Sequence, residues 1–314
     1  MLRYVFKRLI SLIPVLLGAT FIVFAIMFFT PGDPAALMLP QDATTEDIAI
    51  MREVLGLNRP FLVQYGNFLA GIVRGDLGNS FRTGQSVLGL IMSRLPATLQ
   101  LASASLVIAV IIGLIAGIVA AVRQYTVWDG GAMFTALLGV SMPNFWLGLM
   151  LILFFSVFWA GSFGYTLLPA SGYGTLRHMI MPAIVLGTAH AAFITRITRS
   201  SMLEVLRQDY IRMARAKGLS PFQVVFVHAL RNALMPVVTI VGLRFGVLLG
   251  GSVVTERIFA WPGIGRLLID AVRAQDYNVV QGIILSYAII FSLVTLVVDL
   301  LYAFIDPRVK TRYR

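Results

Sequence analysis

The sequence contains no cysteine, which excludes a disulfide framework, a thiol nucleophile and a thiolate metal site. Charge is scarce. Only 12% of the residues are Asp, Glu, Lys or Arg, where a soluble domain carries roughly 25%. Lysine is scarcer still. Lys7, Lys217 and Lys310 are the only three, and none follows a glycine. The Gly-Lys pair of a phosphate-cradling Walker loop is therefore missing, and the chain has no P-loop with which to hydrolyse ATP itself. No HExxH and no GxSxG occurs, and His178, His190 and His228 share no i, i+4 spacing. Nothing here points to a metal site or an enzyme.

What fills the chain is apolar residue, 58% of 314, with a mean hydropathy of +0.87. That is the signature of a polytopic membrane protein, all-α, and the runs are long enough to count spans. Leu9 to Phe29 is 21 residues without a charge, enough at 1.5 Å per residue to cross a hydrocarbon core of about 30 Å. It is too long for the apolar region of a signal peptide, and the following Thr30-Pro31-Gly32-Asp33-Pro34 has no small-x-small cleavage pattern. The same reading predicts spans at 96–122, about 131–160, 178–195, 235–254 and 282–305. Met142-Pro143-Asn144 is expected to kink the third. Residues 1–30 form the tail and first span, 31–95 an extracytoplasmic helical cap, and 96–314 a five-helix core. Within 31–95, helices are expected at 45–56 (capped by Thr45), from Pro60 onward, and at 85–94. Residues 256–281 form a polar segment containing Trp261-Pro262-Gly263 and a helix over 264–274.

One interval breaks the apolar pattern. Residues 203–236 are polar and basic, where a loop between spans needs only a few residues. Glu204 to Lys217 has helical spacing. Gly218 suits the left-handed conformation that closes a helix. Ser220 is a candidate N-cap with Pro221 at the first helical position. A second helix is expected to about Asn232, with Pro236 opening the next apolar run. A capped helical hairpin of this size implies a docking partner.

Six spans put both termini on one side. That side holds 15 Lys and Arg against four acidic residues; the other holds nine of each. The net charge of +11 thus lies wholly on one face. The positive-inside rule makes the termini and the hairpin cytoplasmic, so the basic excess requires no nucleic acid partner. Two charges fall inside spans: Arg244 in the fifth and Asp299 in the sixth, at depths differing by roughly 6 Å. Unpaired charges in hydrocarbon are costly, so they are candidates for a charge pair. A pathway or gating role and a purely structural pair both stand. The same two charges support an alternative reading, a stand-alone secondary transporter or channel, against which no inverted internal repeat is seen.

The hairpin residues Arg212-Met213-Ala214-Arg215-Ala216-Lys217-Gly218 resemble the coupling loop of permease subunits in bacterial ABC importers, whose pattern is Glu-Ala-Ala, three residues, then Gly. Arg212 and Met213 stand in place of the first two. That departure is similar to the form in dipeptide, oligopeptide and nickel permeases. RYVFKRLISLIPVLLGAT, PGDP, RLPATLQLA, SMPNFWLGLMLI, LPASGYG and IFAWPGIGRLL followed by QDY resemble the same family across nearly the whole chain. Asn278 stands where relatives often have Pro. The resemblance implies a translocation pathway formed with a second homologous permease as a heterodimer, in the bacterial inner membrane. It further implies two ATPase subunits that carry ATP and Mg2+, leaving no cofactor in this chain, and a solute-binding protein outside. It implies that the hairpin residues Asp209, Arg212, Ala214, Arg215, Ala216, Lys217, Gly218, Ser220 and Pro221 meet an ATPase. Asp209, Arg215 and Lys217 are expected to supply the polar contacts, and Trp261, Pro262 and Gly263 to take part in docking the binding protein. Dipeptides or short oligopeptides are the implied substrates, with nickel chelates, glutathione or opine-like compounds as other members of the class.

Overall fold

The structure, a computed structural model, describes residues 2–40 and 42–305. Among these every regular element is a helix, apart from one antiparallel bridge between Asn79 and Ser86. In chain order the helices are α1 Leu2–Phe29, α2 Pro34–Met38, α3 Thr45–Val54, α4 Phe61–Val73, α5 Val87–Val122, α6 Val127–Ser141 and α7 Asn144–Phe163. There follow α8 Leu176–Leu206, α9 Asp209–Ala216, α10 Gln223–Gly251, α11 Val253–Ile258, α12 Ile264–Arg273 and α13 Tyr277–Ile305. Six are long and apolar enough to cross a membrane: α1, α5, α7, α8, α10 and α13. The expected number of spans is met, but the boundaries differ in ways that follow from proline.

Pro143 does not kink a span; it ends one helix before the next. Met142 is extended (φ −77°, ψ 124°) and Pro143 caps α7, so the candidate third span is Asn144–Phe163 and α6 is a separate helix. The ring of a proline pushes its predecessor out of the α region. Pro96 and Pro236 do the opposite of what was expected. Each lies inside a continuous helix, so the predicted helix 85–94 and second span fuse into α5, and the second arm of the hairpin runs straight into the fifth span. Packing on both sides of the proline outweighs the single lost N–H, as membrane helices tolerate.

The chain divides into two compact units. One comprises residues 2–98 and 262–292. Its core joins Met27 of α1, Val87 and Ile91 of α5, Ile264 and Ala271 of α12, and Val279, Val280 and Ile283 of α13. The Asp276 carboxylate accepts from Ser80 Oγ at 2.5 Å and from the amides of Phe81 and Arg82, and Asn278 Nδ2 donates to Asn79 O at 2.9 Å. The cap of α3 is Thr44 rather than Thr45, closed reciprocally by Asp47. Phe61, Tyr65 and Phe68 pack on Phe21, Phe24 and Phe28, and the Tyr65 hydroxyl donates to Leu17 O at 3.0 Å, placing α4 beside the apolar length of α1.

The other unit comprises residues 99–261 and 293–305. Here α5, α8 and α10 meet through Ala109, Ala191, Ile194 and Val237. Gly113 and Gly117, one turn apart, let α5 touch α8: a Cβ at Gly113 would lie 2.6 Å from Ile194 Cβ, and one at Gly117 2.5 Å from Thr198 Cβ. Small residues at this spacing are how membrane helices gain close packing where lipid removes the hydrophobic drive.

Candidate functional site: the polar hairpin

α8 runs on to Leu206, well past the expected end of its apolar stretch, and breaks at Arg207-Gln208. α9 follows, eight residues long and strongly two-sided. Ile211 and Ala214 are buried among Met202, Val224, Ala229, Ala233 and Ala121. Its other faces are exposed. The helix ends as a Schellman motif. Gly218 N–H donates to Arg215 O at 3.0 Å, Leu219 N–H to Ala214 O at 3.3 Å, and Gly218 takes φ +78°. Leu219 packs on the same cluster, completing the apolar contact of that motif. Ser220 then opens the second arm as expected. Its hydroxyl accepts from Gln223 N–H at 3.3 Å while Gln223 Oε1 accepts from Ser220 N–H at 3.2 Å, a capping box with Pro221 at the first helical position.

The two arms are tied together. Asn232 Nδ2 donates to the Tyr210 hydroxyl at 2.7 Å and to His228 O at 3.1 Å. The second arm opens with a π-helical stretch, Gln223–Ala229, which no sequence pattern signalled. The hairpin is therefore a braced body with a buried apolar seam. Asp209 and Arg212 pair across one turn at 3.4 Å, but both are largely exposed, so the pair adds little stability. Arg215, Ala216, Lys217, Gly218 and Pro221 are exposed as well, whereas Ala214 belongs to the seam. Apolar Met213 and Phe222 are exposed beside these charges, and Phe222 stacks at a tilt on Phe226 at 4.6 Å.

A brace beside the hairpin was not foreseen. Arg199 of α8 donates through Nε and Nη2 to both carboxylate oxygens of Asp129, each at 2.7 Å. Asp129 also accepts from Tyr125 N–H at 3.1 Å, in a turn where Tyr125 has φ +61°. The Asp129 side chain is only 8% exposed. The Arg199 guanidinium holds its carboxyl below the usual range, against the opposing effect of burial. The one available signal was that Asp129 is the sole acidic residue of its turn.

The remaining expected residues are not brought to the hairpin. Arg244 lies over the Phe193 ring at 3.5 Å, a cation–π contact within α8 and α10. Gly242, not Arg244, makes the close approach to Val298 of α13. Side chains two residues apart on a helix point about 160° apart, so Arg244 is directed away from that contact. The Asp299 side chain lies outside the described residues, and so does the tail 306–314. Trp261 is 2% exposed, edge-on to Tyr173 at 4.8 Å, and Gly263 is buried too. These two offer no docking surface, contrary to expectation, because the aromatic ring is spent on packing; Pro262 is half-buried.

The sequence model of the family described as "Binding-protein-dependent transport system inner membrane component" matches residues 109–311, and the model of its N-terminal part matches residues 1–102. Over 332 residues the chain is 46% identical to the dipeptide transport system permease protein DppB of Alkalihalophilus pseudofirmus, covering 99% of this chain and 100% of that one. Over 310 residues it is 46% identical to the glutathione transport system permease protein GsiC of Escherichia coli O6:H1, covering 99% of each. A solved structure of the MetNI methionine ABC transporter in an inward-facing conformation shares the fold, with a TM-score of 0.54 at 19% identity, covering 70% of this chain and 97% of that one.

Proposed function

The chain belongs to the family of binding-protein-dependent transport system inner membrane components, and on that premise we propose that it is the permease subunit of an ABC importer for dipeptides or short oligopeptides, glutathione included. It is a multi-pass membrane protein, and in this reading it lines half of the pathway, with a second homologous permease supplying the other half. Two ATPase subunits bind ATP and Mg2+ on the cytoplasmic side, and a solute-binding protein delivers substrate from outside. Both termini and the hairpin are cytoplasmic.

The observation that carries this reading is the hairpin. A solvated loop has no use for a two-sided helix anchored by Ile211 and Ala214, a Schellman close at Gly218 and a capping box at Ser220, with Met213 and Phe222 left exposed. A braced body with an apolar and cationic outer face suits a groove on a partner that must transmit force. Closure of the ATPases on ATP would move it as one piece, and because its seam is shared with α8 and α10, those helices would move with it. Two states of the pathway, biased by nucleotide, are enough for alternating access.

Reconstitution tests this. Proteoliposomes holding this chain with its second permease, ATPases and binding protein should accumulate labelled dipeptide on ATP addition. Uptake should disappear with a hydrolysis-dead ATPase. Uptake that persists with the dead ATPase would instead make the chain a transporter acting alone.

A further inference from the structure

Beside the hairpin, on the same unit, α8 carries Arg196, Arg199, Ser200 and Leu203 at helical spacings that place them on one face, and Arg207 follows at its C-cap. Together with Met133 of α6 they line a groove of about 650 Å³. The uncharged stretch of α8, residues 178–195, is 18 residues long. At 1.5 Å per residue it covers about 27 Å, close to the hydrocarbon thickness. Arg196 therefore emerges where hydrocarbon gives way to headgroups, so the Arg196–Ser200 end of the groove lies in the headgroup layer, and Glu204, about 12 Å further along, lies at its outer edge. An independent marker agrees. At the start of α6, Tyr125 is 87% and Trp128 66% exposed, and such amphipathic rings concentrate at the membrane–water boundary.

The charges in the groove are unequal. Asp129 is consumed by its bidentate pair with Arg199 and by the Tyr125 amide. That leaves the exposed guanidinium groups of Arg196 and Arg207 facing one carboxylate, Glu204. Arg196 and Ser200 sit one turn apart and offer both charge and a hydroxyl donor to a phosphate. Glu204 and Arg207 lie further along. Next to Met133, the exposed Phe134 and Leu137 of α6 give acyl chains an apolar track leading away from the groove.

We propose that this groove holds the headgroup of an anionic glycerophospholipid, its phosphodiester at Arg196 and Ser200 and its hydroxylated substituent donating to Glu204. Basic pockets between membrane helices bind such headgroups. Phosphatidylglycerol satisfies every group named. Phosphatidylethanolamine places its ammonium near Glu204 but also near Arg207, which repels it. The inference depends neither on the transported substrate nor on which face of the membrane is cytoplasmic.

Native mass spectrometry of the full chain in mild detergent, titrated with phosphatidylglycerol or phosphatidylethanolamine of the same acyl chains, tests it. The unaltered chain should retain phosphatidylglycerol in preference. The double variant R196Q/R207Q should weaken that binding by roughly 25-fold, two contributions of about fivefold each. Arg123→Gln, which removes a charge outside the groove, should leave it unchanged. Glu204→Gln keeps an acceptor for the hydroxylated substituent but removes the carboxylate that attracts an ammonium, so it should widen the preference for phosphatidylglycerol over phosphatidylethanolamine, a reading that stands even if the double variant fails to fold. Equal retention of the two lipids, an undiminished double variant, an equal loss in Arg123→Gln, or an unwidened preference in Glu204→Gln overturns the assignment.

Discussion

Asp129 and Gly218 show what a single residue can hold. Asp129 is the buried half of the Arg199 pair, and removing its charge takes two charge-assisted hydrogen bonds from a partly exposed guanidinium, at a cost of about 2 kcal/mol. Asp129→Asn should therefore lower the thermal midpoint of the detergent-solubilised protein at pH 7. The pKa of Asp129 is depressed, chiefly by Arg199. Its contribution is thus fully present above the unfolded value of about 3.9 and is lost as pH falls through the lower folded value. The gap between the unaltered chain and Asp129→Asn should stay flat from pH 7 to 5 and close only below about pH 4. A gap that closes near pH 6 would show that another group controls it. At Gly218 the backbone needs φ +78° and its N–H bonds Arg215 O. Gly218→Ala costs about 1 kcal/mol of left-handed strain. Gly218→Pro loses both the angle and the donor, so it should insert normally yet fail to retain ATPase subunits through purification. Full ATPase retention by Gly218→Pro would remove the hairpin from the coupling role. Gly218 and Ser220 were legible from residue type alone, since only particular residues fit those backbone positions. The Asp129–Arg199 pair was not, because 70 residues separate its partners.

At the scale of elements, two contacts matter. The α5–α8 seam rests on Gly113 and Gly117, where a side chain would strike Ile194 and Thr198. Gly117→Leu should force the helices apart, costing about 3 kcal/mol or more from overpacking, with sharply reduced accumulation in the membrane. Normal accumulation and an unchanged melting curve would mean the seam yields. α9 makes the complementary case, since Met213 is 60% exposed on the face opposite its buried seam. Met213→Asp should leave thermal stability within about 0.5 kcal/mol, as surface changes do, yet reduce copurification of ATPase subunits. Equal copurification would mean that this face meets no partner. Helix α9 was readable as a helix, but the fusion of the second arm with the fifth span was not. A proline in sequence reads as a boundary, and only packing on both sides of Pro236 and Pro96 shows that the helix continues through them.

For the molecule as a whole, the distribution of charge makes a topological claim that is simple to check in a chain without cysteine. Ser220→Cys should react with a membrane-impermeant thiol reagent only after the cytoplasmic face is opened, and Thr45→Cys should react from outside in intact cells. The reverse labelling would invert the proposed orientation.

By itself the sequence determined the solvent, the number of spans, the asymmetry of charge and the capped turn of the hairpin. Each is a local or additive property: hydropathy summed over a window, charge summed over a face, or a backbone angle that one residue type tolerates. Tertiary structure decided which prolines end a helix, that Trp261 is packing and not surface, that α4 lies along α1, and that Arg244 meets Phe193. It also joined Asp129 to Arg199 beside the hairpin and left Arg196 and Arg207 facing an open groove. Those outcomes depend on which helices touch, and in a membrane that choice rests on small residues and pairings between distant segments that no local window contains.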